Sequence, residues 1–313
     1  MSLTDLENGD LRDPEIHTEE ATPAAVGRRR LSRRALYTRR FVRNRPAVAG
    51  LFIFVLLALF AILGGLFAKH DYLATDFMNL STGPTADHWF GTNDAGNDLY
   101  AEVVHGLQRS LIIALIVGAG STIIAAIIGA TAAYFGGYYE RVVLAVIHFL
   151  MVVPAFLILA LFSNSSGGNW LVIAIILLLI NWFFPARVVW TLSLSIRERD
   201  YVRASRYMGV GGFKVVLRHI VPNIGSLLII QFTLGVVGAV LAETSLSFIG
   251  FGVKAPDVSL GSLIGGGADT ITSAPWLFYF PAAALTLLTV SMALVADGLR
   301  DALDPTSAAG GQA

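Results

Sequence analysis

Residues Leu111–Tyr134 read LIIALIVGAGSTIIAAIIGATAAY, and this stretch decides the class of fold. It contains no Asp, Glu, Lys, Arg or His. A helix needs about 20 mostly apolar residues to cross the roughly 30 Å hydrocarbon core of a bilayer. The alternation of apolar and polar residues typical of a membrane β-barrel is absent, and only helices and closed barrels span membranes. The stretch therefore predicts a transmembrane α-helix.

The composition of the whole chain agrees with burial in lipid. Of the 313 residues, 55% are hydrophobic and 14% are charged, and the mean hydropathy is +0.67. The zero net charge disfavours nucleic-acid binding, and the lack of cysteine excludes a disulfide-stapled secreted domain. We predict an all-α integral membrane fold with six transmembrane helices. They cover approximately Val48–Ala68, Leu111–Tyr134, Val142–Phe162, Trp170–Trp190, Ile224–Leu246 and Trp276–Ala296.

Flanking charges set the predicted orientation. The basic run RRRLSRRALYTRRFVRNR, Arg28–Arg45, directly precedes the first span, and cytoplasmic loops carry the excess of Lys and Arg. With six crossings, both termini are predicted to be cytoplasmic. The predicted regions are a disordered tail with a basic anchor at 1–38, the first transmembrane helix at 39–70, an acidic extracytoplasmic segment at 71–110, a core with five transmembrane helices at 111–305 and a flexible tail at 306–313.

Recognisable catalytic motifs are absent. The chain has no G-x-x-x-x-G-K-[ST] phosphate loop, no H-E-x-x-H and no G-x-S-x-G, and its histidines show no paired metal-ligand spacing. We therefore predict a protein that is not an enzyme and that binds no metal or cofactor itself. Two other classes remain as alternatives at this point, a stand-alone channel or ion-coupled carrier and an intramembrane enzyme.

Few residues inside the spans suggest special roles. Glu243, in the fifth span, either reaches interfacial water or a neighbouring helix, or serves a function as a membrane carboxylate. Pro154 should kink the third span. Small residues four apart, such as Gly238 and Ala242, allow close helix approach, either within the chain or to a partner subunit. Pro154, Pro222, Gly238 and Glu243 are therefore structural or pathway candidates.

The segment between the fourth and fifth spans, Thr191–Asn223, is too long for a plain turn. Its spacing predicts a short amphipathic helix that ends at Gly209 and reverses at Gly211 and Gly212, with Pro222 at the start of the next helix. Small side chains favour docking into a groove of another protein over insertion into lipid. One predicted face carries Tyr201, Ala204, Ser205 and Met208, and the other carries Arg199, Arg203 and Arg206.

Five stretches give the chain a family resemblance. Asp200–Gly209 and Arg218–Asn223 resemble the EAA…G…LP signature of permease subunits in bacterial ABC importers. Three others resemble the C-type permease of dipeptide and oligopeptide importers, and they are His88–Leu111, Leu241–Val253 and Asp297–Pro305. The first of these three contains the extracytoplasmic motif residues Gly91, Thr92, Gly96 and Asp98.

The resemblance implies a type I importer permease fold with a cytoplasmic coupling helix between spans four and five. That helix would dock into an ATPase subunit through Arg199, Tyr201, Arg203, Ala204, Ser205, Met208 and Gly209. The family's Glu and second Ala are Arg203 and Ser205 here, so we expect an acidic residue in the ATPase cleft. A movement of the helix Arg197–Gly209 would turn spans three to five and drive alternating access.

The resemblance also implies the surroundings of the chain. Its partners would be a second permease subunit, two ATP-binding cassette subunits that bind ATP and Mg²⁺, and an extracytoplasmic substrate-binding protein. The complex would lie in the lipid of a bacterial inner membrane and carry dipeptides or oligopeptides. Related permeases carry nickel chelates, glutathione or other small solutes, so these cargoes stay open.

Overall fold

A computed structural model of the protein describes residues 33–165 and 167–303, and helices form its framework. Within these residues the only β-type pairings are two isolated bridges, Thr75–Asn97 and Thr92–Asp98. The predicted all-α fold is confirmed. The helices are α1 (Arg33–Arg43), α2 (Arg45–Phe67), α3 (Leu99–Phe135), α4 (Gly137–Val152), α5 (Ala155–Ser165), α6 (Trp170–Asn181), α7 (Phe183–Arg197), α8 (Asp200–Tyr207), α9 (Gly212–Val215), α10 (Gly225–Phe248), α11 (Leu260–Asp269) and α12 (Trp276–Leu303).

Five helical segments in the described part are long and apolar enough to cross a membrane, and the bent pair α4–α5 makes six if it counts as one span. The five are Arg45–Leu66, Leu99–Phe135, Trp170–Arg197, Gly212–Phe248 and Trp276–Leu303. The pair bends by 75° at the break that contains Pro154. This confirms the predicted kink, because proline cannot donate the helical hydrogen bond at its position.

The second span differs from the prediction by its length. α3 begins at Leu99 instead of Leu111, because Asp98 caps it by accepting a hydrogen bond from the Ala101 amide. Its 37 residues span roughly 55 Å, at 1.5 Å per residue, which exceeds the hydrocarbon core. The predicted non-membrane segment 71–110 is therefore irregular only up to residue 98, and its last residues begin a helix.

α3 forms the axis of the bundle, because its small residues admit neighbouring backbones. A Cβ on Gly118 would lie 2.7 Å from a Val236 methyl group and 3.1 Å from the Val236 amide nitrogen of α10. A Cβ on Gly129 would overlap the Ala186 carbonyl oxygen of α7. Ala125 is fully buried on the same helix. The small residues of α3 thus serve packing within the chain, one of the two alternatives left open by the sequence.

Helices near the two ends of the described chain, α2 and α12, contact each other. Asn44 caps α2, and its Nδ2 donates a hydrogen bond to Oδ2 of Asp301 in α12 at 3.1 Å. A Cβ on Gly50 would lie 2.7 Å from the Ser291 carbonyl oxygen, so α2 and α12 pack backbone against backbone. Residues 33–38 of the predicted basic anchor belong to α1. Residues 1–32 and the predicted tail 306–313 lie outside the described residues.

Gly129→Ala should destabilise the bundle, because the added methyl group meets the Ala186 backbone, which cannot move aside like a flexible side chain. We expect a loss of roughly 1–3 kcal/mol, seen as a lower Tm of the purified protein in detergent. Gly65→Ala is the matched control, since nothing lies within 4 Å of a Cβ there. Equal Tm values for the two variants would contradict close packing of α3 on α7.

Candidate functional site

The short helix predicted between the fourth and fifth spans exists, but it is shorter than expected. α8 covers Asp200–Tyr207, whereas Arg197 ends the preceding α7, so the prediction of one helix over Arg197–Gly209 is wrong. Gly209 has a φ of +76° and its amide donates to the Arg206 carbonyl oxygen at 3.1 Å. Glycine adopts this left-handed conformation without steric cost, which confirms that Gly209 ends the helix.

The two faces of α8 differ from the predicted faces at one residue. Ser205 is buried, and its hydroxyl donates to the Tyr201 carbonyl oxygen at 2.8 Å. Val202 is buried beside it and packs in a cluster with Val215 and Ile196. Ser205 was predicted on the docking face and instead faces its own chain. The remaining predicted contact residues are exposed, and they are Arg199, Tyr201, Arg203, Ala204, Met208 and Gly209.

A basic cavity of about 580 Å³ lies beside α8. Arg197, Arg203, Arg206 and the acidic Glu198 line it together with the end of α3, so the arginines outnumber the carboxylate. Arg197 is occupied, because it pairs with Glu198 at 3.0 Å and donates to the Ala133 carbonyl oxygen at 2.7 Å. Arg203 and Arg206 form no ion pair with any residue that the structure describes. The cavity therefore suits an acidic side chain from outside the chain.

α8 is connected on both sides to helices that pack on α3. On one side α7 runs along α3, where Gly129 meets Ala186. On the other side a Cβ on Gly212 would lie 2.7 Å from the rings of Tyr134 and Phe135 at the end of α3. Pro222 lies in a 3₁₀ turn, Val221–Ile224, that continues directly into α10, so it marks a joint within a helical run that begins at Gly212.

Glu243 is fully buried within the chain. Its Oε1 accepts hydrogen bonds from Ser247 and from Ser259, each at 2.6 Å. Ser259 also caps α11, so the carboxyl group joins α10 to the start of α11. The alternative in which Glu243 reaches interfacial water is wrong here, and the alternative of pairing with a neighbouring element is confirmed. Its geometry indicates a structural role.

A second cavity, of about 370 Å³, lies among the membrane helices at the break between α6 and α7. Ser121, Asn181 and Gln231 bring polar groups to it from three different helices. Gln231 Oε1 is buried and has no hydrogen-bond partner among the described residues. Gly238 and Ala155, the residue after Pro154, also line the cavity. The sequence did not reveal that these three polar residues line one cavity, because they belong to different helices and lie far apart in the chain.

The four residues of the motif predicted to be extracytoplasmic lie in the segment that leads into α3. Gly91 and Gly96 have φ values of +84° and +85°, which other residues adopt only under strain. Thr92 is buried and accepts a hydrogen bond from the Thr82 amide at 3.0 Å. Asp98 caps α3. These residues therefore shape the segment that lies between α2 and α3.

A polar cluster that the sequence did not predict ties the α10–α11 connection to α3. Oδ1 of Asp257 lies 2.9 Å from His105 Nε2 and accepts a hydrogen bond from Arg109 Nε at 2.8 Å. Arg109 also lies over the Trp170 ring, 4.7 Å from its centroid. Burial alone would raise the pKa of Asp257, but the hydrogen bonds from His105 and Arg109 outweigh it and hold the pKa below the ordinary 3.8.

Comparisons with known proteins give a consistent result. Residues 122–308 match the family described as the inner membrane component of binding-protein-dependent transport systems. Residues 32–84 match the N-terminal transmembrane domain of oligopeptide transport permease C. The oligopeptide transport system permease protein OppC of Mycobacterium tuberculosis is 44% identical over 278 residues, 88% of this chain and 96% of that protein. The protein of the same name from Escherichia coli K12 is 34% identical, covering 85% and 89%.

Asp257→Asn should reduce stability at neutral pH, because the neutral amide binds Arg109 more weakly. The folded-state pKa lies below the ordinary value, so ionised Asp257 stabilises the fold above about pH 4 and the contribution is lost as the pH falls through that folded-state pKa. We expect a loss of roughly 1–2 kcal/mol at pH 7. Tm measured from pH 7 to pH 3 should show the variant and the wild type converging, and a pH-independent difference would contradict the role of the charge.

Proposed function

Since this chain belongs to the family of inner membrane components of binding-protein-dependent transport systems, we propose that it forms one half of the translocation pathway of a peptide importer driven by separate ATPase subunits. Dipeptides or oligopeptides are the proposed cargo, because relatives matched over 96% of their own length are named as oligopeptide transport permeases. The chain itself is a transport subunit and not an enzyme. The observation that carries the proposal is α8, a short helix with one face buried in its own chain and the other left exposed.

The exposed face of α8 is the proposed contact with the ATPase subunit. Ala204 leaves room at its centre, and the exposed Tyr201 and Met208 lie on either side along the helix. Arg203 and Arg206 lie at the rim beside the basic cavity. An acidic residue of the ATPase would fill this cavity and compensate the charge of Arg203, which stands where the family has Glu.

Force would pass from α8 into the membrane through its two neighbours. α7 and the Gly212–Phe248 run both pack against α3 at glycines, so a displacement of α8 carries them together. ATP and Mg²⁺ bound by the partner ATPases would close those subunits and favour the outward-open state, and hydrolysis would restore the inward-open state. The chain is thus a two-state element whose equilibrium is set by a ligand on its partners.

The cavity between α6, α7 and α10 is the proposed part of the pathway in this chain. Asn181 and Gln231 carry amide groups that can exchange hydrogen bonds with a peptide backbone. Gly238 is exposed at its edge, and a Cβ there would meet nothing within 4 Å, which leaves room for a second permease subunit. Nickel chelates and glutathione remain alternative cargoes, which uptake assays with each labelled solute would separate.

The proposed orientation follows the basic run before α2. The α8 side, together with both termini, lies in the cytoplasm of a bacterial cell, and the segment 68–98 faces the extracytoplasmic binding protein. The hydrogen bond between Asn44 and Asp301 supports the part of this arrangement that places the start of α2 and the end of α12 on one side.

Ala204→Leu should abolish ATP-driven uptake in proteoliposomes while the subunits still co-purify, because the larger side chain disturbs the exposed docking face and leaves the fold intact. We expect uptake to fall at least tenfold and Tm to change by less than about 1 °C. Ala145→Leu, at an exposed alanine of α4, is the matched control and should transport normally. Ser205→Leu should instead lower Tm, since Ser205 is buried. Normal uptake by the Ala204 variant would refute the docking role.

A further inference from the structure

Three potential metal ligands converge outside the proposed pathway. One ligand atom each from His70, Asp87 and His88 lies within 4.8 Å of the other two. His70 Nε2 is 3.4 Å from Asp87 Oδ2. Donors about 2.0–2.2 Å from a tetrahedral Zn²⁺ lie roughly 3.3–3.6 Å apart, so this pair already has the spacing of two ligands on one ion. The sequence concealed the group, because His70 and His88 show no motif spacing.

His70 provides an independent sign that a ligand is missing. Its Nε2 atom is buried, yet it has no hydrogen-bond partner among the described residues, and its approach to Asp87 does not have hydrogen-bond geometry. A buried ring nitrogen without a partner is costly. Lys69 does not remove the available acceptor, because its ammonium group lies nearer the other carboxylate oxygen of Asp87, Oδ1, at 3.7 Å.

His88 is oriented as a metal ligand would be. Its Nδ1 lies 2.8 Å from Oδ2 of the buried Asp98, so the neutral ring donates there and leaves a lone pair on Nε2. Metal-binding histidines commonly donate their second nitrogen to a carboxylate in this way. His88 Nε2 also lies 3.4 Å from Oδ2 of Asp76, so this nitrogen has a carboxylate beside it that favours a proton or a cation there.

The electrostatic surroundings also favour positive charge at this place, because the carboxyl groups of Asp76, Asp87 and Asp98 lie around the two histidine rings. His70 and His88 stack with their ring centroids 4.6 Å apart and their planes 24° from parallel. Because imidazole lone pairs lie in the ring plane, the His70 ring must turn to direct both nitrogens at one ion. His70 is partly exposed and Asp87 is exposed, which leaves both the room for that turn and a path for entry.

We propose that His70, Asp87 and His88 bind a Zn²⁺ ion that clips the chain following α2 to the segment preceding α3. Two imidazole nitrogens and one carboxylate oxygen suit this borderline cation better than Mg²⁺ or Ca²⁺, which prefer oxygen ligands. Asp98 connects the clip to α3, because the same carboxyl group caps that helix. The ion would hold together the two ends of the segment between α2 and α3.

The test uses the full-length chain purified in detergent with no affinity tag that binds metal. Titration with Zn²⁺, followed by calorimetry and by Tm, should show one ion bound per chain and a Tm higher by several degrees. Mg²⁺ at the same concentration should have no effect. His70→Ala and Asp87→Ala should each weaken Zn²⁺ binding at least tenfold. His148→Ala, which removes a histidine of α4 that is outside the cluster, should bind like the wild type.

Two results would overturn the proposal. The first is no Zn²⁺ binding at micromolar concentration, which would mean that protons and hydrogen bonds alone satisfy the cluster. The second is unchanged binding by both His70→Ala and Asp87→Ala, which would place the ion elsewhere. Because Asp87 is exposed, its variant is expected to fold, and its Tm without metal checks this directly.

Discussion

Close contact between helix backbones along α3 is the constraint on which the rest of the structure depends. Lipid tails are as apolar as leucine, so membrane helices gain little from hiding apolar surface and associate through tight packing instead. Gly118 and Gly129 allow α10 and α7 to approach α3 so closely that a Cβ at either position would meet backbone atoms of the neighbouring helix. The length of α3 extends this frame beyond the hydrocarbon core, from the cap at Asp98 to the rings that contact Gly212.

In the proposed mechanism, this frame connects a helix of eight residues to a membrane pathway. α8 has too few residues to be stable by itself, since isolated helices shorter than about 12 residues are marginal in water. It is stabilised because Val202 and Ser205 are buried against its own chain. This burial leaves the opposite face of α8 exposed. The buried face contacts α7 through Ile196 and the helical run that begins at Gly212 through Val215. The proposed docking and transmission therefore use opposite faces of one short helix.

The sequence predicted the features that depend on local chemistry. Long apolar runs predicted the spans, Pro154 predicted the break in the third span, and Gly209 predicted the end of α8. The start of α3 was missed because Asp98, Glu102 and Arg109 make its first turns resemble an external loop. Ser205 was assigned to the wrong face because it follows the exposed Tyr201 by four residues and the buried Val202 by three, so its spacing is close to both faces and tertiary packing decides between them. The cavity lined by Asn181 and Gln231 and the stacking of His70 on His88 bring together residues far apart in the chain, so no local pattern reveals them.

The central claim is that the exposed face of α8 lies in the cytoplasm and is covered by an ATPase subunit. The natural chain has no cysteine, so a single Ala204→Cys substitution gives a unique site for a membrane-impermeant thiol reagent. The reagent would be added to sealed vesicles of each orientation in separate experiments. An Asp71→Cys variant, whose thiol is expected on the opposite side of the membrane, would serve as the reference. The account predicts labelling at position 204 only in inside-out vesicles, and protection there when the ATPase subunits are bound. Labelling at position 204 in right-side-out vesicles would contradict it.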